Sequence, residues 1–217
     1  MLLADWSQGQ DSRRGWTLDR ARYDTLMVAD LRDVVRDVIS RSSPITVIGI
    51  DGHSAAGKST LAMALAAEFD RVAMVHGDDF YRVMNEDQRA GLDPAQGADL
   101  YYDWQRLRDE VLVPLRDGKR ATFRPYDWDT NQLSDTSTTI EPAPMVVVEG
   151  LFVSRPELGS WIDLSVLVDV DPTIREGRQR DRADASPIWL QRWEAAEQWY
   201  FHNIRPPGSF DVTLSGE

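Results

Sequence analysis

The chain has 217 residues, enough for one domain with a real core and a small lid or arm. Its 36 acidic and 24 basic side chains leave a net charge of −12, which repels a nucleic-acid backbone and argues against DNA or RNA as a partner. No cysteine is present, and the three histidines (His53, His76, His202) are not at ligand spacing, which excludes a disulfide framework and a Cys- or His-rich zinc site.

In chain order, residues 1–16 are polar and broken by Gly9 and Gly15, which reads as a loose arm. They carry no basic n-region and no long apolar stretch, so neither a signal peptide nor a membrane span is expected, and the cytoplasm follows. Residues 18–41 read as a helix, with Tyr23, Leu26, Met27, Leu31, Val34, Val35 and Ile39 at 3–4 spacing. A β-branched run at 45–50 reads as the first strand, the pattern at 61–67 as a helix, and 71–76 as the second strand. Residues 83–99, with Gly91, Pro94 and Gly97, read as an excursion or loop. A helix is predicted over 100–117, ending at Gly118, and residues 121–128 and 136–140 could pair as strands outside the main sheet. The apolar runs at 145–148 and 164–170 fit strands buried in a parallel sheet, helices follow at 172–183 and 187–200, and 210–214 closes the sheet. Strands alternate with helices, so the class is α/β with a mostly parallel sheet.

The most specific signal is Gly52-His53-Ser54-Ala55-Ala56-Gly57-Lys58-Ser59, followed by Thr60. It fits G-x-x-x-x-G-K-[ST] and lies between a strand and a helix, as a phosphate-binding loop must. Its backbone N–H groups and the positive helix end hold phosphate. Lys58 should reach the β/γ-phosphates, and the Ser59 hydroxyl should meet Mg²⁺. Phosphoryl transfer also needs a base, a metal carboxylate and cations for the transition-state charge. Asp78 and Asp79, just after the second strand, stand where ligands bind in open α/β sheets, and either could accept a proton or merely cap a turn. Glu149 ends a strand, where a carboxylate faces Mg²⁺ or caps the next helix. Arg175, Arg178 and Arg182, at i, i+3 and i+7 with Arg180 nearby, form a basic helix face in an acidic chain. They suit phosphate, or a salt-bridged surface with Glu176, Asp181 and Asp184. The stripe Trp189, Trp193, Ala196, Trp199, Tyr200 reads as core packing in preference to stacking on a ligand. Tyr101 to Trp104 and Tyr126 to Trp128 mix aromatic and acid groups that suit a sugar or nucleoside, and core packing explains them equally.

These residues resemble the uridine kinase family of P-loop kinases, with kinship to phosphoribulokinase, nicotinamide riboside kinase and bacterial pantothenate kinase. The resemblance runs over about 45–215. It is carried by the loop, by Asp78-Asp79-Phe80-Tyr81, by Pro125-Tyr126-Asp127, and most specifically by the stretch from Val146 through Glu149-Gly150 to Arg182. It implies a P-loop three-layer α/β/α sandwich with a five-stranded sheet, ATP and Mg²⁺ as cofactors, Asp78 as base and Lys58 as phosphate clamp. It further implies Ser59 and Glu149 for Mg²⁺, Arg178 and Arg182 as lid arginines, and Asp78, Tyr81, Tyr126 and Arg175 around the substrate. Two features depart from the pattern. Asn131 and Leu133 stand where classical uridine kinases have a base-reading His and an Arg, and Gly97 falls on a ribose-gripping Asp, with Asp99 the nearest acid.

The expected organisation is an arm and helix over 1–43 packed on a kinase domain over 44–217, with a lid around 172–188. The expected activity is transfer of the ATP γ-phosphoryl to a hydroxyl of a nucleoside-like or sugar-bearing metabolite. The rivals are a kinase of pantothenate, nicotinamide riboside or a sugar, and a nucleotide-binding regulator without turnover. A GTPase lacks its N-K-x-D run and an ABC-type ATPase its L-S-G-G-Q run. The partners are ATP and a small acceptor, with a homo-oligomer left open.

Overall fold

Each strong apolar run becomes a strand. In the computed structural model, which describes residues 28–41, 44–180 and 187–216, nine strands follow in chain order. They are β1 (Thr46–Asp51), β2 (Val72–His76), β3 (Ala121–Phe123), β4 (Tyr126–Asp127), β5 (Gln132–Leu133), β6 (Thr138–Ile140), β7 (Met145–Glu149), β8 (Leu164–Val170) and β9 (Val212–Gly216). Five form one sheet in the order β2-β7-β1-β8-β9, with every pairing parallel. β1, β7 and most of β8 are buried on both faces, which explains their near-continuous valine, isoleucine and leucine.

Successive side chains feed two cores. Ile48, Ile50, Val147, Leu164 and Val166 face one side, under α1 (Val28–Arg41) and α2 (Lys58–Ala66). In α1, Leu31, Val34, Val35 and Val38 repeat at helical spacing and are all buried, worth about 1.5–3 kcal/mol each. Val47, Val75, Val146 and Val148 face the other side, in a second core. The result is the three-layer α/β/α arrangement. Register matters for the site: Ile50 pairs with Glu149, and Glu149 with His76, so three strand ends stand level.

The structure corrects several boundaries. Residues 83–99 hold two short helices, α3 (Glu86–Ala90) and α4 (Pro94–Leu100), each opened by a reciprocal capping box, Asn85 with Gln88 and Asp93 with Gln96. The helix expected over 100–117 starts later, because Tyr102 bridges to Tyr81. It runs as α5 (Trp104–Arg106), a π-wound stretch (Leu107–Leu112) and α6 (Val113–Arg116). The expected strand pair splits in two: β3 pairs with β6, while β4 turns back on β5 in a hairpin of its own. α7 (Pro172–Arg180) and α8 (Pro187–Trp199) follow β8, and α8 continues into a π-wound turn, Tyr200–Ile204. The expected arm at 1–16, the start of the first helix and residues 181–186 of the expected lid lie outside the described residues. Among the described residues no helix is long and apolar enough to cross a membrane.

Candidate active site

The chain leaves β1 through Asp51, whose carboxylate is fully buried. It accepts hydrogen bonds from the N–H groups of Gly52 (2.8 Å), Phe152 (3.1 Å) and Ser154 (3.0 Å) and from the Tyr200 hydroxyl (3.1 Å). Burial pushes this carboxyl up, and the N–H groups of Ser154 and Gly52 pull it part of the way back. The residue ties the start of the loop to two other segments. Gly52 has φ 151°, and a Cβ there would lie 2.4 Å from the Val168 carbonyl, so only glycine fits. Gly57, at φ 97°, turns the loop into α2. The Lys58 ammonium donates to the carbonyls of Gly52 and His53 at 2.9 Å each, which leaves one of its three protons for a phosphate.

Level with the loop, the Ser59 hydroxyl donates to Glu149 Oε2 (2.9 Å), and His76 Nδ1 meets Glu149 Oε1 at 2.7 Å. Burial works to raise Glu149, but the hydrogen bonds from His76 and Ser59 outweigh it and hold the carboxyl below its usual range. The same bond raises His76. A serine hydroxyl beside an ionised carboxylate is a hard oxygen pair that fits Mg²⁺, which completes its shell with water and nucleotide phosphates. Among the described residues no cluster of three or more His, Asp or Glu side chains forms a closed metal cage.

Gly77–Phe80 is a 3₁₀ turn and not a strand extension. It exposes Asp78 into a cavity of about 290 Å³ that also holds Lys58, Ser59 and Glu149. Asp79 is half-buried, does not line that cavity, and is pushed up by burial. Part of the cavity wall is aromatic: Tyr81, Trp128, Trp189 and Trp193. Trp189 stacks on Trp193 (centroids 5.3 Å apart, planes 5°), and Trp193 on Tyr101 (4.9 Å, 19°). The aromatic stripe of α8 is therefore divided. Ala196, Trp199 and Tyr200 pack into the core as expected, while Trp189 and Trp193 pack and also face the cavity.

Sequence reasoning missed Glu197. It is 1% exposed and sits one turn beyond Trp193 on α8. Its Oε2 accepts the Ser54 N–H (3.0 Å) and faces His53 Nδ1 (3.1 Å), and its Oε1 accepts the Ser54 hydroxyl. Trp193 Nε1 donates to the same Ser54 oxygen (3.3 Å). The available signal was the spacing: positions 189, 193 and 197 form one face, and a carboxylate continues the aromatic stripe. Glu194 also lines the cavity.

Of the helix-face arginines, Arg178 lies over the loop, its Nη1 donating to the carbonyls of Ala55 (3.2 Å) and Ala56 (3.5 Å). Arg175 donates from Nε to the Val170 carbonyl at 3.2 Å and does not line the cavity. Arg182 lies outside the described residues. Tyr126 is buried in a smaller recess behind Trp128, its hydroxyl donating to Asn131 Oδ1 (2.6 Å).

The model of the Phosphoribulokinase / Uridine kinase family matches residues 47–185, a span that holds the phosphate loop, Asp78, Glu149 and Arg178. The chain belongs to that family. The chain has the P-loop α/β/α fold, with its five-stranded parallel sheet. A uridine kinase from Streptococcus uberis is 30% identical over 143 residues, 62% of this chain and 65% of that protein. Uridine kinase-like protein 5 of Arabidopsis thaliana is 26% identical over 165 residues, 70% of this chain and 35% of that protein. The match thus spans about a third of the plant protein and just under two thirds of the streptococcal one. A solved structure of a possible uridine kinase from Bacillus stearothermophilus superposes with a TM-score of 0.64 at 24% identity, covering 87% of this chain and all of that one, which shows the shared fold. At the second departure, the structure gives Gly97 a packing reason: a Cβ there would come within 2.9 Å of the Tyr101 ring. Asp99 pairs with the buried Arg155 at 3.1 Å and does not line the cavity.

Proposed function

We propose that the protein transfers the γ-phosphoryl group of ATP to a hydroxyl of a nucleoside or related sugar-bearing metabolite. The observation that carries this reading is one cavity in which the exposed Asp78 carboxylate, Lys58 of the loop and a wall of aromatic faces meet. Asp78 takes the hydroxyl proton as the acceptor oxygen bonds to the γ-phosphorus. The bond from that phosphorus to the β-phosphate oxygen breaks, and ADP leaves. Lys58 follows the transferring group, and Arg178, already over the loop, neutralises charge that grows in the transition state; the family resemblance gives Arg182 a like role. Ser59 and Glu149 hold Mg²⁺, which when bound screens the phosphate charges. Tyr81, whose phenol burial holds well above its usual range, stays neutral beside the acceptor.

The nature of the wall supports a ring-bearing acceptor, since aromatic faces stack on rings. Charge supports an uncharged one. Among the described residues that line the cavity, Asp78, Glu149, Glu194 and Glu197 stand against the single cation Lys58, which disfavours a carboxylate such as pantothenate. The test is an ADP-release screen of the purified protein against nucleosides, vitamins and sugars, with Lys58→Ala as control. ADP release should depend on an acceptor. The variant should lose most activity and keep its circular dichroism, because Lys58 contacts only loop carbonyls. Near-normal turnover by Lys58→Ala would remove the loop from the mechanism.

A further inference from the structure

His76 closes β2, an edge strand of the sheet. It does not line the main cavity, yet its Nδ1 stands 2.7 Å from Glu149 Oε1. An ionised carboxylate can only accept, so Nδ1 carries the hydrogen and donates, whether the ring is neutral or charged. Core packing does not hold the ring there, because the His76 side chain is 57% exposed, against 7% for Glu149.

The backbone brings the two together. Register pairs His76 with Glu149 on neighbouring parallel strands, so both side chains leave the same face of the sheet. Just beyond them, Gly77 and Gly150 let the strand ends close: a Cβ on Gly150 would lie 2.9 Å from Gly77 Cα. Each oxygen of Glu149 then has a donor among the described residues, His76 for Oε1 and the Ser59 hydroxyl for Oε2 (2.9 Å). A carboxylate held at both oxygens does not turn about its last bond, and Oε2 stays beside the Ser59 hydroxyl.

We propose that His76 is a positioning residue for the metal pair. Its Nδ1–H holds Oε1, so that Glu149 is oriented before the ion arrives. Hydrogen bonds that orient metal ligands change metal affinity by about 10–100-fold. One strand end thereby sets the metal carboxylate and, on the turn that follows it, the base Asp78. The inference rests on the kinase reading above, which gives Ser59 and Glu149 to Mg²⁺.

Mn²⁺ serves as the probe, since it takes the same hard oxygens and its EPR signal reports the free ion. Protein is kept in excess so that all the ADP is bound. His76→Ala should weaken Mn²⁺ binding to the ADP complex by about tenfold or more. His76→Asn, whose Nδ2 stands where Nδ1 stood, should recover most of that loss. Affinity for ADP in EDTA, measured by calorimetry, should be the same in all three proteins, which a merely structural role would not allow. In a Glu149→Ala background, adding His76→Ala should cost nothing further, because the group it orients is gone.

Unchanged Mn²⁺ affinity in His76→Ala, an Asn variant as weak as the Ala variant, metal-free ADP binding that falls in step with Mn²⁺ binding, or a further loss in the Glu149→Ala background would each overturn the inference and leave the kinase reading standing. A wild-type ADP complex that holds Mn²⁺ no tighter than free ADP does would overturn the Ser59–Glu149 metal reading and this inference with it. Failure of the wild-type protein to bind ADP would overturn the phosphate-loop reading as well.

Discussion

Glu197 offers the most direct test of how the loop is held. Its carboxylate receives three donors: the Ser54 N–H, the Ser54 hydroxyl and His53 Nδ1. Glu197→Ala leaves all three donors without their acceptor at once. A buried donor left unsatisfied costs about 1–3 kcal/mol, and the adjoining cavity lets water replace part of the loss, so the lower end applies, about 1 kcal/mol per donor. The sum is about 3 kcal/mol, and for a chain of this length it lowers Tm by about 6–12 °C. Glu197→Gln keeps one carbonyl oxygen for the Ser54 N–H and should cost about half as much. Thermal unfolding of the three proteins, followed by circular dichroism, gives the order Ala below Gln below wild type. A Tm for Glu197→Ala within about one degree of wild type, or a Gln variant as damaged as the Ala variant, would refute the assignment of this side chain to the loop.

Two further substitutions test the chemistry. Asp78→Asn keeps the shape but cannot accept a proton, so kcat should fall by about 10²–10⁴ with ATP affinity nearly unchanged. Asp79→Asn, away from the cavity, should cost little, and a larger loss from it would move the base one residue along. Arg178→Ala should lower kcat more than it weakens ATP binding, since its charge is best used in the transition state, whereas small and equal effects on both would mark it as a solvated surface residue.

The sheet and the phosphate cradle were legible because their signals are local. β1, β7 and β8 are apolar runs that nothing but a buried parallel strand accommodates, and Gly52 to Ser59 is a contiguous motif. The same holds for Asp78 and Glu149, which follow strands directly. The short helices α3 and α4 were hidden by Gly91, Pro94 and Gly97, although the pairs Asn85–Gln88 and Asp93–Gln96 spelled out their caps. The division of residues 121–140 into two hairpin-like pairs depends on Arg124 and Pro125, which break the strand without leaving a periodic trace. Glu197 was illegible for another reason. Its partner Ser54 lies 143 residues away, and no spacing rule encodes a contact that only tertiary packing makes.

Helix α8 presents Trp189 and Trp193 to the cavity, and with Glu197, and Tyr200 just beyond it, grips His53, Ser54 and Asp51 at the phosphate loop. Choice of acceptor and rate of turnover are therefore written on the same rod. Substitutions at Trp193 made to admit a new acceptor also remove a donor to Ser54, and double-mutant cycles between Trp193 and Glu197 should return a coupling energy well away from zero. On the proposed function, changing the acceptor while keeping the turnover rate calls for compensating changes on the loop itself. Its acceptor range is accordingly harder to redesign, and slower to drift, than that of a kinase whose ring-binding wall and phosphate cradle belong to separate elements.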